Sequence, residues 1–148
     1  MKVIRPFSFL VLALIGIGGI TNAQAAGLEL NVQVHGGNEH VGQVIVSLFS
    51  SAENFLNDPF IQQRRPIENA GSATILFEGL AEGEYAVAVI YDEDGDGELN
   101  TGLFGIPSEK VGFSNDAKGL FGPPSFTKAA FNLLTSTTIV VNLDDAKK

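Results

Sequence analysis

Leu28, Leu30, Val32 and Val34 alternate with Glu29, Asn31, Gln33 and His35, the two-residue period of a strand with one face buried and one face wet. Val44, Val46 and Leu48 repeat it. Gly36-Gly37-Asn38 between the two runs is turn chemistry, so the spacing predicts that they pair antiparallel. The period fades from 50 to 72, where a long connection with one helical turn near residues 51–56 is expected. Residues 73–77 form a short strand candidate. In residues 85–91, Tyr85, Val87, Val89 and Tyr91 face one way and Ala86, Ala88 and Ile90 the other. Apolar residues on both faces predict a central strand covered on both sides. Residues 95–124 are rich in Gly and Pro with no sustained period and read as one long ordered loop region. Its neighbours 128–133 and 137–143 read as two closing strands, before a polar tail at 144–148. Short strands, frequent turns and no convincing long helix predict an all-β domain, a single antiparallel β-sandwich, with no internal repeat and no linker.

The first 25 residues break this pattern. Lys2 and Arg5 are followed by an apolar and small-residue run from 7 to 20, interrupted by Ser8, and by Ala23-Gln24-Ala25. These are the parts of a secretory signal peptide. The run is shorter than the roughly 20 residues a membrane-spanning helix needs. We therefore expect residues 1–25 to be a signal peptide and 26–148 the β-sandwich domain, with no membrane span after cleavage. The chain contains no cysteine, so it offers no lipid attachment point at the cleavage site. An exported protein, periplasmic or extracellular, follows as the expectation. A single domain of that size buries about two-thirds of its unfolded surface and folds without disulfides. Loss of Lys2 and Arg5 leaves 7 basic residues against all 17 acidic ones, a net charge of −10. Nucleic acid and anionic membrane surfaces are poor partners for such a chain.

Much of the acidity is concentrated where it suggests chemistry. Asp92, Glu93, Asp94, Asp96 and Glu98 place five carboxylates in seven residues, with Gly95 and Gly97 between them. Oxygens at alternate positions of a glycine-containing loop converge on a hard cation, calcium above all. Numbered as a twelve-position calcium loop, Asp92, Asp94 and Asp96 occupy one, three and five, Gly97 six and Glu98 seven. The twelfth position, usually a bidentate Glu, is Leu103. With a strand in front of it, the segment does not read as a helix-loop-helix module. The expected metal ligands are Asp92, Asp94 and Asp96 through their carboxylates, Glu98 through its carbonyl, and Asn100 directly or through water. Glu109 or Asp116 would complete the shell, and Glu109 is preferred. The bland alternative is a solvated acidic turn, in which carboxylates about 5 Å apart repel by up to ~3 kcal/mol per pair at an effective dielectric of 20. A structural Ca²⁺ of weak extracellular type is the favoured cofactor.

Several segments together resemble a family of exported bacterial proteins catalogued as a domain of unknown function (family 2141). They are Leu80-x-x-Gly83-x-Tyr85-Ala86-Val87-Ala88-Val89, Tyr91-Asp92-Glu93 with Gly97 and Leu99, Gly105-Ile106-Pro107-x-Glu109, Gly112-Phe113-Ser114-Asn115, and Pro124-x-Phe126-x-x-Ala129. The segment from 105 to 115 is the most specific. In that family the loop after the strand is commonly a His-Asp-Glu-Asn series, so Tyr91, Asp94 and Asp96 are departures that make this copy more acidic. The resemblance implies an exported β-sandwich and carries no known activity. More distantly, Leu80-Ala81-Glu82-Gly83-Glu84-Tyr85 is similar to transthyretin-like and carboxypeptidase-regulatory-like sandwiches. An immunoglobulin-like or transthyretin-like arrangement with one long loop is the fold expected. The Tyr-Arg-Gly-Ser tail of the hydroxyisourate-hydrolysing branch is missing from this chain, which ends Asp144-Asp145-Ala146-Lys147-Lys148.

Other motifs add little chemistry. His35 and His40 lack a third ligand and read as turn histidines. Ser114-Asn115-Asp116 has no neighbouring histidine and no nucleophile elbow. Arg64-Arg65 reads as a hydrated pair, with capture of an anion as the sharper option. Paired acids such as Glu98 and Glu109 could in principle serve as acid and base in glycoside cleavage, and ligation or solvation explains them more simply. Phe104, Phe113, Phe121 and Phe126 fit either a satellite core beneath the loop or an exposed patch for a partner, and the satellite core is favoured. The leading functional expectation is a non-enzymatic binding or accessory module, with an unknown protein or glycan ligand and a calcium-pinned loop. A calcium-dependent hydrolase of the cell envelope is the alternative.

Overall fold

A computed structural model describes residues 27–145, so the expected signal peptide and the last three residues of the polar tail lie outside the described residues. Eight strands form two sheets: β1 (Leu28–His35), β2 (Gln43–Phe49), β3 (Ile61–Pro66), β4 (Ser72–Leu80), β5 (Gly83–Asp92), β6 (Val111–Phe113), β7 (Phe131–Leu133) and β8 (Thr137–Asn142). The first sheet runs β4-β1-β8 and the second β3-β2-β5-β6, with β7 also on β5. All pairings are antiparallel except β1 with β8. The fold is an all-β sandwich.

The two-residue period explains which faces meet. Leu30, Val32 and Val34 of β1 pack in one core with Val44, Val46 and Leu48 of β2, Ile75 and Phe77 of β4, and Tyr85, Val87, Val89 and Tyr91 of β5. Each such side chain contributes about 1.5–3 kcal/mol through burial. Here the expected pairing of the first two strands is corrected. β1 and β2 lie in opposite sheets, since two half-buried strands can share a core face to face as well as side by side. The chain between them crosses from one sheet to the other, held by Gly37 N–H donating to the Gly71 carbonyl at 2.9 Å.

β5 is central, as its two apolar faces predict: β2 flanks one edge and β6 and β7 the other. Its outer residues Ala86 and Ala88 belong to a second cluster with Phe49, Phe55, Phe126 and Ala129. Phe55 contacts Phe49 and Phe126 edge-on, at centroid distances of 5.2 and 5.7 Å, a favourable aromatic geometry. Phe113 packs against this cluster. The satellite core therefore exists, but Phe104 and Phe121 are not in it and face solvent.

Three further expectations change. The 50–72 connection contains β3, an edge strand whose Gln62-Gln63-Arg64-Arg65 stretch shows no apolar period; charged and Pro-terminated edges of this kind discourage pairing with other chains. The 95–124 region contains β6. The expected strand at 128–133 is shorter, because Lys128 and Ala129 belong to the helical turn α1 (Phe126–Ala129) and only Phe131–Leu133 pairs with β5. Buried Ser114 explains this local fold: its hydroxyl donates to the Ala129 carbonyl at 2.6 Å and accepts from Val87 N–H at 2.9 Å. One side chain thus fastens α1 to the central strand. No helix among the described residues is long and apolar enough to cross a membrane.

Candidate metal centre

The acidic loop begins on the last residue of β5. Asp92 is opposite Gln43 in the β2–β5 register, and its side chain is fully buried. Four donors meet that carboxylate. Oδ2 accepts from Gln43 Nε2 at 2.7 Å and Gly97 N–H at 3.0 Å, and Oδ1 accepts from Gly95 N–H at 2.7 Å, while Asp96 N–H also lies against it. Burial pushes the Asp92 carboxyl up. The Gln43 amide and the backbone N–H groups of Gly95, Gly97 and Asp96 outweigh burial, so its pKa lies below the usual aspartate value.

The same device continues along the loop. Asp94 Oδ1 accepts from Asp96 N–H at 3.2 Å, and Asp96 Oδ1 accepts from Glu98 N–H at 2.9 Å. These local turns are the habit of Asp side chains, and they wind the chain so that the carboxylates gather. One oxygen each from Asp92, Asp94 and Asp96 lies within 4.8 Å of the other two. Asp92 is buried and the other two are exposed. Among the described residues no Lys or Arg nitrogen forms a salt bridge with any of the three. Arg64 approaches but donates to the Gly97 carbonyl at 3.3 Å. Gly97 has φ +86°, a left-handed conformation that favours glycine, while a Cβ there would stand 3.0 Å from the flexible end of Arg64, which can shift.

The remaining expected ligands are placed differently. Asn100 Nδ2 donates to Asp94 Oδ2 at 2.9 Å, so its amide joins the cluster as a hydrogen-bond donor. Glu98 is exposed and contributes its backbone to the loop. Glu109 is buried but does not join the three aspartates. Its Oε1 accepts from Glu93 N–H at 3.1 Å and its Oε2 from Asn100 N–H at 3.0 Å. Glu109 therefore bridges the two ends of the loop. Asp116, the other downstream candidate, accepts hydrogen bonds from Asn142.

Sequence reasoning missed the supports of the loop. Gln43 carries no motif, and only its register opposite Asp92 reveals it. Tyr91 was visible as a strand residue and as a departure from the family's histidine, but not as a support; its hydroxyl donates to the Val41 carbonyl at 3.0 Å and accepts from Asn38 N–H at 3.2 Å. Asn38 in turn donates to Glu93 Oε1 at 2.8 Å. The sheet crossing at 36–42 is thereby tied to the base of the acidic loop. Gly42, with φ +69°, allows this approach, since a Cβ there would stand 2.5 Å from the Asp92 carbonyl oxygen.

The bacterial family described as "uncharacterized protein conserved in bacteria (DUF2141)" matches residues 32–141, from within β1 to within β8. The chain belongs to this family. The match includes the whole acidic loop, Gln43, Tyr91 and Glu109, so these contacts lie within the DUF2141 domain. No curated protein and no solved structure matches the chain, and the distant likeness to transthyretin-like sandwiches thus finds no support.

Proposed function

We propose that this DUF2141 domain is an exported, non-enzymatic accessory or binding module whose acidic loop is clamped by calcium. The observation that carries the metal reading is the gathering of Asp92, Asp94 and Asp96 oxygens within 4.8 Å, with no salt bridge from a Lys or Arg to any of the three among the described residues, although Arg64 reaches the loop backbone at Gly97. Asp92 would supply the anchored oxygen and Asp94 and Asp96 the exposed ones. The Glu98 carbonyl, Asn100 and water would complete a shell of six to eight oxygens. Calcium suits this set better than magnesium, which keeps most of its own water and demands a smaller, stricter octahedron. Glu109 acts through the amides of Glu93 and Asn100 in this scheme and holds the loop for the ion.

Export is supported by the charged, apolar and small-residue sequence of the first 25 residues. The non-enzymatic reading is supported by what the acids do: both Glu109 oxygens accept backbone amides, as do both Asp92 oxygens. Neither carboxylate is left as a general acid or base facing open space. Native mass spectrometry in millimolar calcium is expected to add one calcium to the chain and none to Asp94→Asn/Asp96→Asn. A hydrolase screen on glycosides and phosphate esters is expected to give no turnover with or without calcium. Turnover lost in Asp94→Ala would replace this reading with the calcium-dependent hydrolase.

A further inference from the structure

The outer face of the second sheet is only half covered. Phe55 and Phe126 close over Ala86 and Phe49, but Ser47, Ala88 and Ile90 beside them form the floor of a cavity of about 1080 Å³ between loops 99–107 and 117–124. Ser47 and Ala88 are small and leave the space above them unfilled. The walls end in apolar residues that the fold does not bury: Phe104 is 96% exposed, and Leu120 and Phe121 are 88% and 103% exposed. A concave site lined by exposed apolar residues with a few polar and charged groups among them has the character of a ligand surface. The volume is that of a site for one small organic molecule.

Charge narrows the class of that molecule. The charged lining residues are Asp116, Asp144, Asp145 and a single Lys118. Lys118 is already held by Asp144 at 2.6 Å. Even with the Lys128 ammonium, which donates to the Lys118 carbonyl at 3.3 Å, the three carboxylates leave this end of the cavity an excess of negative charge, within a chain that is itself acidic. An anionic ligand is repelled from here, and so is an anionic lipid surface, which attracts basic rather than acidic segments. We propose that the cavity binds a small amphipathic cation, an apolar body carrying an ammonium or similar group, with the body on Ser47, Ala88 and Ile90 between the phenylalanines and the cation toward Asp116 and Asp145. Phe104 and Phe121 also offer ring faces to a cation. This inference deepens the reading of the domain as a binding module and stands apart from its calcium clamp.

Calorimetric titration of the chain with dodecyltrimethylammonium and with dodecyl sulfate, each below its micelle concentration, tests it. The expected result is one site for the ammonium probe, at least tenfold tighter than for the sulfate. Phe104→Ser/Phe121→Ser is expected to weaken the ammonium probe at least fivefold, and Asp116→Asn/Asp145→Asn to weaken it at least threefold while leaving sulfate binding no weaker. Both phenylalanines are exposed, so their replacement leaves the fold intact. Equal or tighter binding of sulfate, or several weak sites indifferent to the substitutions, would overturn the proposal. Retention on zwitterionic phospholipid vesicles without binding of the monomeric probe would overturn it too, and would assign the apolar loop tips to a membrane surface. The titration is repeated in EDTA. Ammonium binding without any calcium-induced stabilisation refutes the clamp and leaves the cavity assigned; calcium stabilisation without ammonium binding does the reverse.

Discussion

Asp92, at the end of β5 where the acidic loop begins, and Phe121, in the loop region after β6, have exposures that run opposite to their hydropathy: 0% for the carboxylate and 103% for the ring. In the acidic loop, backbone amides and Gln43 replace the water that Asp92 loses, and the amides of Glu93 and Asn100 do so for Glu109. In the apolar loops, Leu103, Phe104, Leu120 and Phe121 are covered by no neighbouring element among the described residues. Single carboxylates of an otherwise exposed loop are thus buried where backbone amides and a side-chain amide take the place of water. An apolar loop left open on a fold that has a well-filled core elsewhere is a surface for something else.

The largest test of this contrast is Asp92→Ala, which leaves the Gln43 amide and the N–H groups of Gly95 and Gly97 without their acceptor. Chemical denaturation should show a loss of about 4 kcal/mol, at the upper end for one substitution. The same carboxylate sets an acid dependence. Because its folded pKa is lowered, its contribution is fully present above the unfolded aspartate value of about 3.9 and is lost as pH falls through the folded value. Stability measured from pH 6 down to 2 should therefore fall more steeply in the wild-type chain than in Asp92→Asn. Glu109→Ala frees two amides at the ends of the loop and should cost about 2–3 kcal/mol. Ser114→Ala should cost about 2 kcal/mol, since Val87 N–H and the Ala129 carbonyl both lose a buried partner. Phe121→Ser should change stability by less than about 0.5 kcal/mol in the same assay. A loss there comparable to that of Ser114→Ala would show that the ring is packed in solution and erase the contrast.

Much of the fold was legible because period-two runs report burial directly. β1, β2, β4, β5 and β8 all appear in the alternation of apolar residues, and the two-sided run of β5 marked it as central. Sheet membership was not legible: the Gly36-Gly37-Asn38 turn is compatible with a hairpin or with a crossing, and only the packing of β1 against β2 across the core decides. β3 escaped because an edge strand with a Gln-Gln-Arg-Arg stretch buries too little to leave a pattern, and β6 because three residues are too few. At the candidate site, the spacing of Asp92, Asp94 and Asp96 announced their convergence, since each Asp turns the chain locally. Gln43 and Glu109 act from other parts of the chain. Their roles depend on strand register and on the return of the 101–107 turn, where Gly102 N–H meets the Ile106 carbonyl at 2.7 Å. The exposure of Phe104 and Phe121 was hidden for a related reason, because aromatic composition alone does not say whether a neighbour exists to cover the ring.

The central claim is that the gathered aspartates form a calcium clamp, and thermal unfolding across a calcium titration addresses it most directly. With a dissociation constant on the order of 10⁻⁴ to 10⁻³ M, 10 mM calcium should stabilise the fold by about 1.4–2.7 kcal/mol and raise Tm by roughly 5–10 °C. Asp94→Asn/Asp96→Asn should show no such rise. A wild-type Tm unmoved by calcium, or a rise that the double variant reproduces in full, would contradict the clamp and leave the loop as an acidic turn held by its own hydrogen bonds.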